Sequence, residues 1–323
     1  MKGKVACTLI ALWIVATVGG AYAAADYPVR PVTLLVPTGA GGPTDTGARI
    51  LASVAEKKMG QPIVVINKVG AGSQVGCTEL ARAKADGYYL GCVSLPALNT
   101  IILDPERKAV FGIDSFLPII NQVLDPGLIW VKADSPYKTL KDLLEDAKKR
   151  PMAVRASTTG ILGDDHMAII MMEEVAGVQF RIVHFEGGAQ QLTATLGGQV
   201  DVSFDNVGSV MTRIRGGQLR GLAVMDPERS KFLPDVPTTL ELGFPTVISS
   251  STRGIMGPKG VPAPVVKKIQ EVFLDAMKNP EHMEKMDKAG LAVKPIMGEE
   301  YIKYFRNLQE RCKSLVDAAR KAR

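Results

Sequence analysis

The amino-acid sequence predicts an α/β protein built from repeated strand–helix–strand units. Short runs rich in β-branched residues alternate with amphipathic helical windows, which is the pattern of parallel sheets covered by helices. The chain has 323 residues, of which 46% are hydrophobic, so it is long enough for two domains and too apolar for a disordered linker. Only 6% of the residues are aromatic, which argues against a stacking platform for single-stranded nucleic acid.

Strands and helices alternate through the first two thirds of the chain. Each predicted strand is a short apolar or β-branched run, and each predicted helix has apolar residues at helical spacing. The predicted strands are 32–36, 63–66, 88–93, 128–131, 152–156, 181–185, 200–204 and 219–224. The predicted helices include 45–58, 140–149, 165–176 and 189–196.

The C-terminal part of the sequence has a different organisation. Three helical windows at 264–278, 281–289 and 299–322 enclose one short strand at 293–296. Three prolines, at positions 258, 262 and 264, precede this part of the chain. Because prolines interrupt helices and strands, they predict a boundary there.

The first 25 residues have the pattern of a secretory signal peptide. Lys2 and Lys4 precede an apolar run at 5–18, and small residues at 21–25 suit cleavage by a signal peptidase. The alternative is a membrane anchor, but the apolar run is shorter than the roughly 20 residues that span a bilayer. Removing the two lysines lowers the formal charge of the chain from +6 to +4. We therefore expect a mature protein that is soluble in an extracytoplasmic compartment.

The cysteines and histidines do not form a recognisable metal or disulfide framework. Cys77, Cys92 and Cys312 remain after signal cleavage, and buried thiols are a better interpretation than disulfides, although a bridge between Cys77 and Cys92 stays open. The three histidines are far apart in sequence and lack zinc-ligand spacing. Basic residues alternate with acidic ones, notably at 138–150, which argues against nucleic-acid binding. No metal or cofactor is predicted.

The segment 36–45 (VPTGAGGPTD) follows a strand and opens a helix. Pro43 fits the first helical position, Gly42 the N-cap, and Asp45 the first turn, where a carboxylate complements the helix dipole. The glycines leave backbone N–H groups accessible, so the helix start suits an anion. A nucleotide P-loop is excluded because its Lys and Ser/Thr are missing. The alternative is a turn that binds no ligand.

A second glycine-rich segment, 70–76 (GAGSQVG), resembles a dinucleotide-binding turn only superficially. Its spacing is GxGxxxG, and three residues separate it from the preceding strand. We interpret it as a structural turn leading into a helix near 78–84.

A third segment, 156–166 (ASTTGILGDDH), repeats the strand, polar loop and helix of the first. Its hydroxyl and N–H groups suit a carboxylate or a phosphate. A hydrolytic set of Ser157, His166 and Asp164 is the alternative, but the GxSxG nucleophile elbow is absent. Two such loops on separate strand–helix units are expected to face each other across a cleft.

A fourth group of polar residues includes Asp205 and Asn206, at the end of a predicted strand, and Arg253, in the run 249–254 (SSSTRG). Open α/β sheets bind ligands at the carboxyl ends of their strands. An arginine there can hold a second carboxylate through two hydrogen bonds, although most arginines are simply solvated.

The whole sequence after the signal peptide resembles the Bug family of periplasmic solute-binding proteins, the extracytoplasmic receptors of tripartite tricarboxylate transporters. The matching motifs follow one another in order: YPVRP at 27–31, GGPTD at 41–45, GQPIVV at 60–65, GAG at 70–72, DGY at 86–88, SPYKTL at 135–140, GGQVD at 197–201, LAV at 222–224 and LPDVPT at 233–238.

This resemblance implies a two-lobed type II periplasmic-binding-protein (Venus flytrap) fold with a hinge and a ligand cleft. Residues 26–124 and 253–323 are expected to form lobe 1, and residues 125–252 lobe 2. The implied function is capture of a small organic carboxylate and its delivery to the large and small membrane subunits of a transporter. A periplasmic, non-enzymatic monomer without a cofactor is therefore expected. A sensor subunit for a signalling partner and a secreted hydrolase are the alternatives.

The resemblance also implies a set of ligand-binding residues, mainly on the first and third segments. These are Thr38, Gly39, Ala40, Gly41, Gly42, Asp45, Ser157, Thr158, Thr159, Gly160, Asp205 and Arg253. The sequence departs from the family where an aromatic residue and a proline usually precede the first glycines, because Thr38 and Gly39 stand there. The second loop, ending at 163–166, is more similar to the tricarboxylate-binding branch of the family.

Overall fold

The structure is a computed structural model that describes residues 27–185 and 187–321. The predicted signal peptide lies outside the described residues. The α/β fold class is confirmed: ten strands and the helices between them form two connected sheets. Among the described helices, none combines the length and the apolar character needed to cross a membrane.

The elements follow in chain order. The first are β1 (Val32–Val36), α1 (Pro43–Met59), β2 (Ile63–Asn67), α2 (Gln74–Arg82), β3 (Tyr89–Leu95), α3 (Ala97–Leu103) and β4 (Phe116–Lys132). Next come α4 (Leu140–Lys149), β5 (Arg155–Thr158), α5 (Asp164–Ala176), β6 (Arg181–His184), α6 (Gly188–Leu196), β7 (Val202–Asn206), α7 (Val207–Arg215) and β8 (Leu219–Met225). The last are β9 (Ser250–Pro258), α8 (Ala263–Lys278), α9 (Pro280–Lys288), β10 (Val293–Met297) and α10 (Gly298–Lys321).

One long strand, β4, belongs to both sheets, and β9 runs beside it. The first sheet has the order β2-β1-β3-β9-β4-β10, and the second has the order β8-β4-β7-β5-β6. β4 has 17 residues and belongs to both sheets. β9 runs antiparallel to its first part, from the pair Phe116–Pro258 to the pair Pro126–Ser250. The loops that follow β1 and β5 therefore lie on opposite sides of these connecting strands.

Each sheet has its own hydrophobic core. Leu34, Leu51 and Phe273 belong to the core of the first sheet, which α1 and α8 cover. Ala156 and Phe204 belong to the core of the second sheet. Most of the apolar residues of each sheet are thus buried against the helices that cover that sheet.

The last helix, α10, contacts both halves of the molecule. Its residues Cys312 and Val316 form a hydrophobic cluster with Leu162 and Met167, which lie at the start of α5. Arg320 near its C-terminal end forms an ion pair with Asp104, which follows α3. The helix thus packs against α5, beside the second sheet, while it remains anchored beside the first sheet.

Two sequence-based assignments are wrong in detail. The predicted strand 152–156 begins only at Arg155, because residues 151–154 form a turn in which Met152 has a left-handed φ of 61°. The predicted strand 128–131 is the end of the much longer β4. The polar run 249–254, to which the sequence analysis assigned no element, includes the start of β9 at Ser250, because β3 and β4 on either side provide hydrogen-bonding partners for its backbone.

The cysteines have the buried environment that the sequence favours. Cys77, Cys92 and Cys312 are buried free thiols in the structure. Burial raises the pKa of the Cys77 thiol to about 12, which keeps it in the unreactive protonated form at neutral pH.

Candidate functional site

The loop between β1 and α1 is held by one buried carboxylate. Asp45 accepts hydrogen bonds from the Gly41 N–H (2.8 Å), from Arg49 (3.0 Å) and from the Asn67 side-chain amide (2.9 Å). The same amide donates to the Thr38 carbonyl at 3.0 Å. Although burial opposes ionisation, these donors lower the pKa of Asp45 below its usual value. Asp45 is therefore a charged residue that fixes the loop from within.

The start of α1 leaves hydrogen-bond donors at the surface. The first N–H groups of a helix have no partner within that helix, and the dipole makes this end positive. Gly39 and Ala40 in the preceding loop are exposed, and Gly42 and Pro43 are partly exposed. The Thr44 hydroxyl bonds to the Ser94 hydroxyl at the end of β3 (3.0 Å). This arrangement suits a small anion.

The loop between β5 and α5 has the same backbone geometry. Gly42 has φ −75° and ψ 168°, and Gly163 has φ −76° and ψ 174°. The preceding residues, Gly41 and Leu162, both have positive φ values, of 80° and 61°. The Leu162 N–H donates to His166 Nδ1 at 3.0 Å, in the same way that the Gly41 N–H donates to Asp45. We call these two segments, 38–42 and 159–163, the first and second loops.

The second loop uses more of its own donors internally. The Thr159 N–H donates to Asp165 (3.1 Å), and the Gly160 N–H donates to the Thr158 hydroxyl oxygen (3.3 Å). The Thr158 hydroxyl also contacts His184 Nδ1 at 2.7 Å. The Ser157 hydroxyl is fully buried and bonds to the Ser203 hydroxyl at 2.8 Å. Ser157 and Thr158 thus support this loop from beneath.

A chain of polar side chains runs between the two loops along the connecting strands. Arg253 on β9 donates to Asp125 on β4 (2.8 Å) and to the Asn206 oxygen (3.4 Å), and the Asn206 amide donates to Asp164 at 2.8 Å. Ser94, which bonds to Thr44, pairs with Arg253 in the register of β3 and β9. We call Ser94, Asp125, Asn206 and Arg253 the polar floor.

The ion pair in the polar floor is almost completely removed from solvent. The side chains of Arg253 and Asp125 are only 6% and 1% exposed. Burial raises the pKa of Asp125, while Arg253 and the Gly208 N–H, which donates to Asp125 at 3.0 Å, act in the opposite direction. An ion pair this deeply buried depends on keeping both partners.

Gly208 in α7 is required because Asp125 approaches the helix backbone closely. A Cβ atom at this position would lie 2.7 Å from Asp125 Oδ2 and 2.9 Å from a methyl carbon of Leu291. We expect Gly208→Ala to lower the free energy of unfolding by about 1–3 kcal/mol, despite the better helix propensity of alanine. Urea unfolding measures this loss. Gly112→Ala, where a Cβ meets no atom within 4 Å, is the control, and equal stabilities of the two variants would contradict the prediction.

Three further carboxylates gather beside the second loop. Asp205 accepts hydrogen bonds from the Asn206 N–H (2.7 Å) and the Ser209 hydroxyl (3.0 Å). Asp165 and Asp205 are buried, and Asp164 is partly exposed. Burial raises the pKa of Asp165 well above its usual value, and the charges of Asp164 and Asp205 raise it further. The second loop therefore adjoins a cluster of acids.

The pKa of Asp205 predicts how stability depends on pH. Burial raises this pKa from 3.8 to about 7, so between these values the folded protein holds a proton that the unfolded chain has released. The contribution of Asp205 to the free energy of unfolding should therefore fall as the pH rises from about 4 to about 7. Asp205→Asn removes this titration, so its stability should fall less over that range. The opposite contribution of His282, whose pKa burial lowers to about 4, is common to both proteins and cancels in the comparison.

Urea unfolding of the wild type and of Asp205→Asn at pH 5, 6, 7 and 8 measures this difference. Parallel pH profiles of the two proteins would show that Asp205 does not titrate in this way.

The structure brings the predicted site residues into one region with different degrees of access. The first loop, from Thr38 to Gly42, is open to solvent at Gly39, Ala40 and Gly41, whereas Asp205 and Arg253 are buried on the two sides of Asn206. Sequence reasoning singled out Asn206 beside Asp205 without placing it among the ligand-binding residues, and it missed Asn67 and Asp125. Asn67 is the last residue of a parallel strand, which is a signal that could have identified it.

The glycine-rich segment 70–76 has a structural role, as the sequence indicates. It connects β2 to α2, and a Cβ at Gly76 would lie 2.8 Å from Pro37, immediately before the first loop. The helix begins at Gln74, four residues earlier than predicted.

A separate groove of about 660 Å³ lies beside the first sheet, at the ends of the strands away from the first loop. Its lining includes Thr33 and Tyr89, near the starts of β1 and β3, and Arg82 of α2. The two loops and the polar floor contribute no residue to it. Because the backbone geometry that the two loops share lies elsewhere, we assign the candidate site to the loops and not to this groove.

Comparison with known proteins gives consistent results. The family described as tripartite tricarboxylate transporter family receptor matches residues 47–320. A UPF0065 protein from the TAR-I ttuE-ttuC' intergenic region of Agrobacterium vitis is 32% identical over 267 residues, covering 82% of this chain and 76% of that protein. The periplasmic binding protein BugD has a TM-score of 0.80 and 31% identity, covering 91% of this chain and 98% of its own. MatC of Rhodopseudomonas palustris with bound malate has a TM-score of 0.80 and 26% identity, covering 90% and 100%.

Proposed function

Because this chain belongs to the family of tripartite tricarboxylate transporter receptors, we propose that it is a periplasmic receptor for a small organic carboxylate. The observation that carries this proposal is the pair of loops with the same backbone geometry at the two ends of one polar floor. The malate bound to MatC shows that a related protein holds a carboxylate, which supports the same ligand class here.

In this proposal the ligand carboxylate docks on the first loop. The accessible backbone of Thr38, Gly39, Ala40, Gly41 and Gly42 lies beside the positive end of α1, which favours an anion. Asp45 keeps the loop in this conformation. The second loop, which includes Thr159 and Gly160, forms the facing wall of the cleft together with Ser157 and Thr158 beneath it. Asp205 and Arg253 line the base of the cleft.

Ligand binding closes the two lobes about the connecting strands. We place lobe 1 at residues 26–124 and 253–323 and lobe 2 at residues 125–252. This division is supported by β4, which pairs with β9 as far as Pro126 and with β7 and β8 from Gly127 onwards. A ligand that contacts both lobes binds the closed form more tightly, and this difference in affinity shifts the equilibrium towards closure.

The closed receptor then delivers its ligand to the large and small membrane subunits of a transporter. The predicted signal peptide supports a periplasmic location, and a monomer is sufficient for this function. A sensor that passes the same ligand to a signalling partner is the second candidate. A hydrolase is disfavoured because the Ser157 hydroxyl is fully buried and bonded to Ser203.

Isothermal titration calorimetry with mono-, di- and tricarboxylates tests the binding function. We expect one-to-one binding of at least one of these compounds. If the folded protein binds none of them, the proposal is wrong.

A further inference from the structure

The second loop has an uncommon backbone conformation at Leu162. This residue has a left-handed φ of 61°, which is unfavourable for a residue other than glycine unless its surroundings impose it. Its side chain is 2% exposed and belongs to an apolar cluster with Cys312 and Val316 of α10. Its backbone N–H donates to His166 Nδ1 at 3.0 Å. An apolar cluster and one hydrogen bond therefore hold the turn that precedes α5.

The hydrogen bond from Leu162 determines the protonation state of His166. A backbone N–H can only donate, so Nδ1 must carry a lone pair, and the neutral ring carries its hydrogen on Nε2. A proton added to Nδ1 would place two N–H groups against each other across this 3.0 Å contact and break the bond. His166 is buried, so its ring has little room to turn away. The turn therefore requires the neutral imidazole.

The first loop has a carboxylate in the equivalent place. Asp45 accepts the N–H of Gly41, four residues earlier, as His166 accepts that of Leu162. The hydrogen bonds to Asp45 lower its pKa below the usual value, so it stays ionised in mild acid. An imidazole instead gains its proton between about pH 8 and about pH 5. The two loops should therefore respond differently to acid.

A second histidine, His184 on β6, contacts His166 but has the opposite hydrogen-bonding pattern. The centroids of the two rings are 4.6 Å apart. The Thr158 hydroxyl donates its single hydrogen to the Gly160 carbonyl at 3.0 Å. His184 Nδ1, which lies 2.7 Å from the same hydroxyl oxygen, must then donate to it. Because this nitrogen already carries a hydrogen, protonation of the other ring nitrogen of His184 leaves the bond intact.

Several charged or titratable groups lie near His166. They are Asp164 and Asp165 on α5, His184 on β6, Asp205 on β7, and Arg311 on α10 beside the cluster that contains Leu162. Ionised acids favour the charged form of the imidazole, whereas Arg311 and a protonated His184 oppose it. These groups set the pH at which His166 gains its proton, but they do not change the direction of the effect.

We propose that His166 is a positioning residue for the ligand site, whose neutral imidazole holds the second loop in the conformation that matches the first loop. This inference rests on the proposed receptor function, in which the second loop forms one wall of the cleft. Protonation of His166 frees the Leu162 N–H and loosens this wall. The receptor therefore binds its ligand more weakly in mild acid than at pH 8.

Histidine ¹⁵N NMR of the wild-type protein tests the protonation state without a ligand. Correlations between the ring nitrogens and the carbon-bound ring protons distinguish the two neutral tautomers, and the spectrum of His166→Asn identifies the signals of His166. At pH 8 we expect His166 to carry its hydrogen on Nε2 and to gain a second one on Nδ1 as the pH falls. A His166 ring with its hydrogen on Nδ1 at pH 8 overturns the proposal.

Two substitutions separate the acceptor of His166 from its charge. His166→Asn keeps an oxygen acceptor near the position of Nδ1 and does not titrate, whereas His166→Leu removes the acceptor. Calorimetric titration uses whichever of malate, adipate and citrate binds the wild type most tightly. At pH 8 we expect His166→Leu to weaken binding about threefold to tenfold, as for one lost hydrogen bond, and His166→Asn to stay within about twofold of the wild type.

The pH dependence of binding gives the decisive comparison. Between pH 8 and pH 5, the affinity of the wild type should fall about threefold to tenfold more than that of His166→Asn. Titration of the ligand and of Asp205 affects both proteins and cancels in this ratio. His184→Asn is the control and should keep the steeper pH dependence of the wild type.

The outcomes distinguish this inference from the receptor function. Equal pH dependence in the wild type and His166→Asn overturns the role of His166 and leaves the receptor function intact. If the folded wild type binds none of the carboxylates at either pH, the receptor function is wrong, and this inference is wrong with it. Neither the NMR measurement nor the comparison with asparagine depends on whether His166→Leu folds.

Discussion

Replacing Arg253 with methionine is expected to lower the free energy of unfolding by about 3–5 kcal/mol, because it leaves Asp125 buried without its partner. Methionine preserves most of the side-chain length, so the loss reflects the missing charge and hydrogen bonds more than a cavity. The Gly208 N–H remains as a donor to Asp125, but one backbone N–H is a weak substitute for a guanidinium group. Urea unfolding at pH 7 measures the change.

A second substitution separates the charge from the packing. In the double variant Arg253→Met, Asp125→Asn, the neutral amide keeps an acceptor for Gly208, so more than half of the lost stability should return. Arg306→Met removes one partner of an exposed ion pair with Asp114 and should cost about 0.5 kcal/mol or less. A loss below about 1 kcal/mol for Arg253→Met, or no recovery in the double variant, would contradict the role of this pair.

Replacing Gly42 with leucine is expected to weaken ligand binding at least about 100-fold, or about 2.7 kcal/mol, without unfolding the protein. The backbone at Gly42 (φ −75°, ψ 168°) is accessible to every residue type, and a Cβ there would meet only the Gly39 carbonyl, at 3.6 Å. The fold therefore tolerates a side chain, whereas the bulk lies within the loop on which the carboxylate docks. Calorimetric titration gives the affinity, and thermal unfolding confirms the folded state.

The matched control for this variant is Gly112→Leu. Its backbone is also unstrained, and a Cβ there meets no atom within 4 Å, but it lies far along the chain from both loops. We expect wild-type affinity from this control. Unchanged affinity in Gly42→Leu would remove the first loop from the binding site.

Local sequence signals predicted the loops well. Gly42 and Pro43 mark the start of α1, and Gly163 marks the start of α5. These signals can be recognised in the sequence because capping and turn preferences depend on a few neighbouring residues. The matching backbone angles of Gly42 and Gly163 extend the similarity that the sequence indicated between the two segments.

Long-range contacts could not be predicted in the same way. The polar run before Gly254 has the composition of a loop, yet it forms part of β9 because two neighbouring strands pair with it. The buried pairing of Arg253 with Asp125 joins residues 128 positions apart, so no local pattern reveals it. The cluster of acids beside the second loop also includes Asp205, which is far from Asp165 in the sequence and is brought near it only by the fold.

Native mass spectrometry of the wild type and of Gly42→Leu, each mixed with the same panel of carboxylates, tests the central claim most directly. The claim is that one small carboxylate binds at the first loop. We predict a one-to-one complex with a panel compound for the wild type and none for the variant under identical conditions. A folded wild type without a complex, or a variant that retains it, would contradict the account.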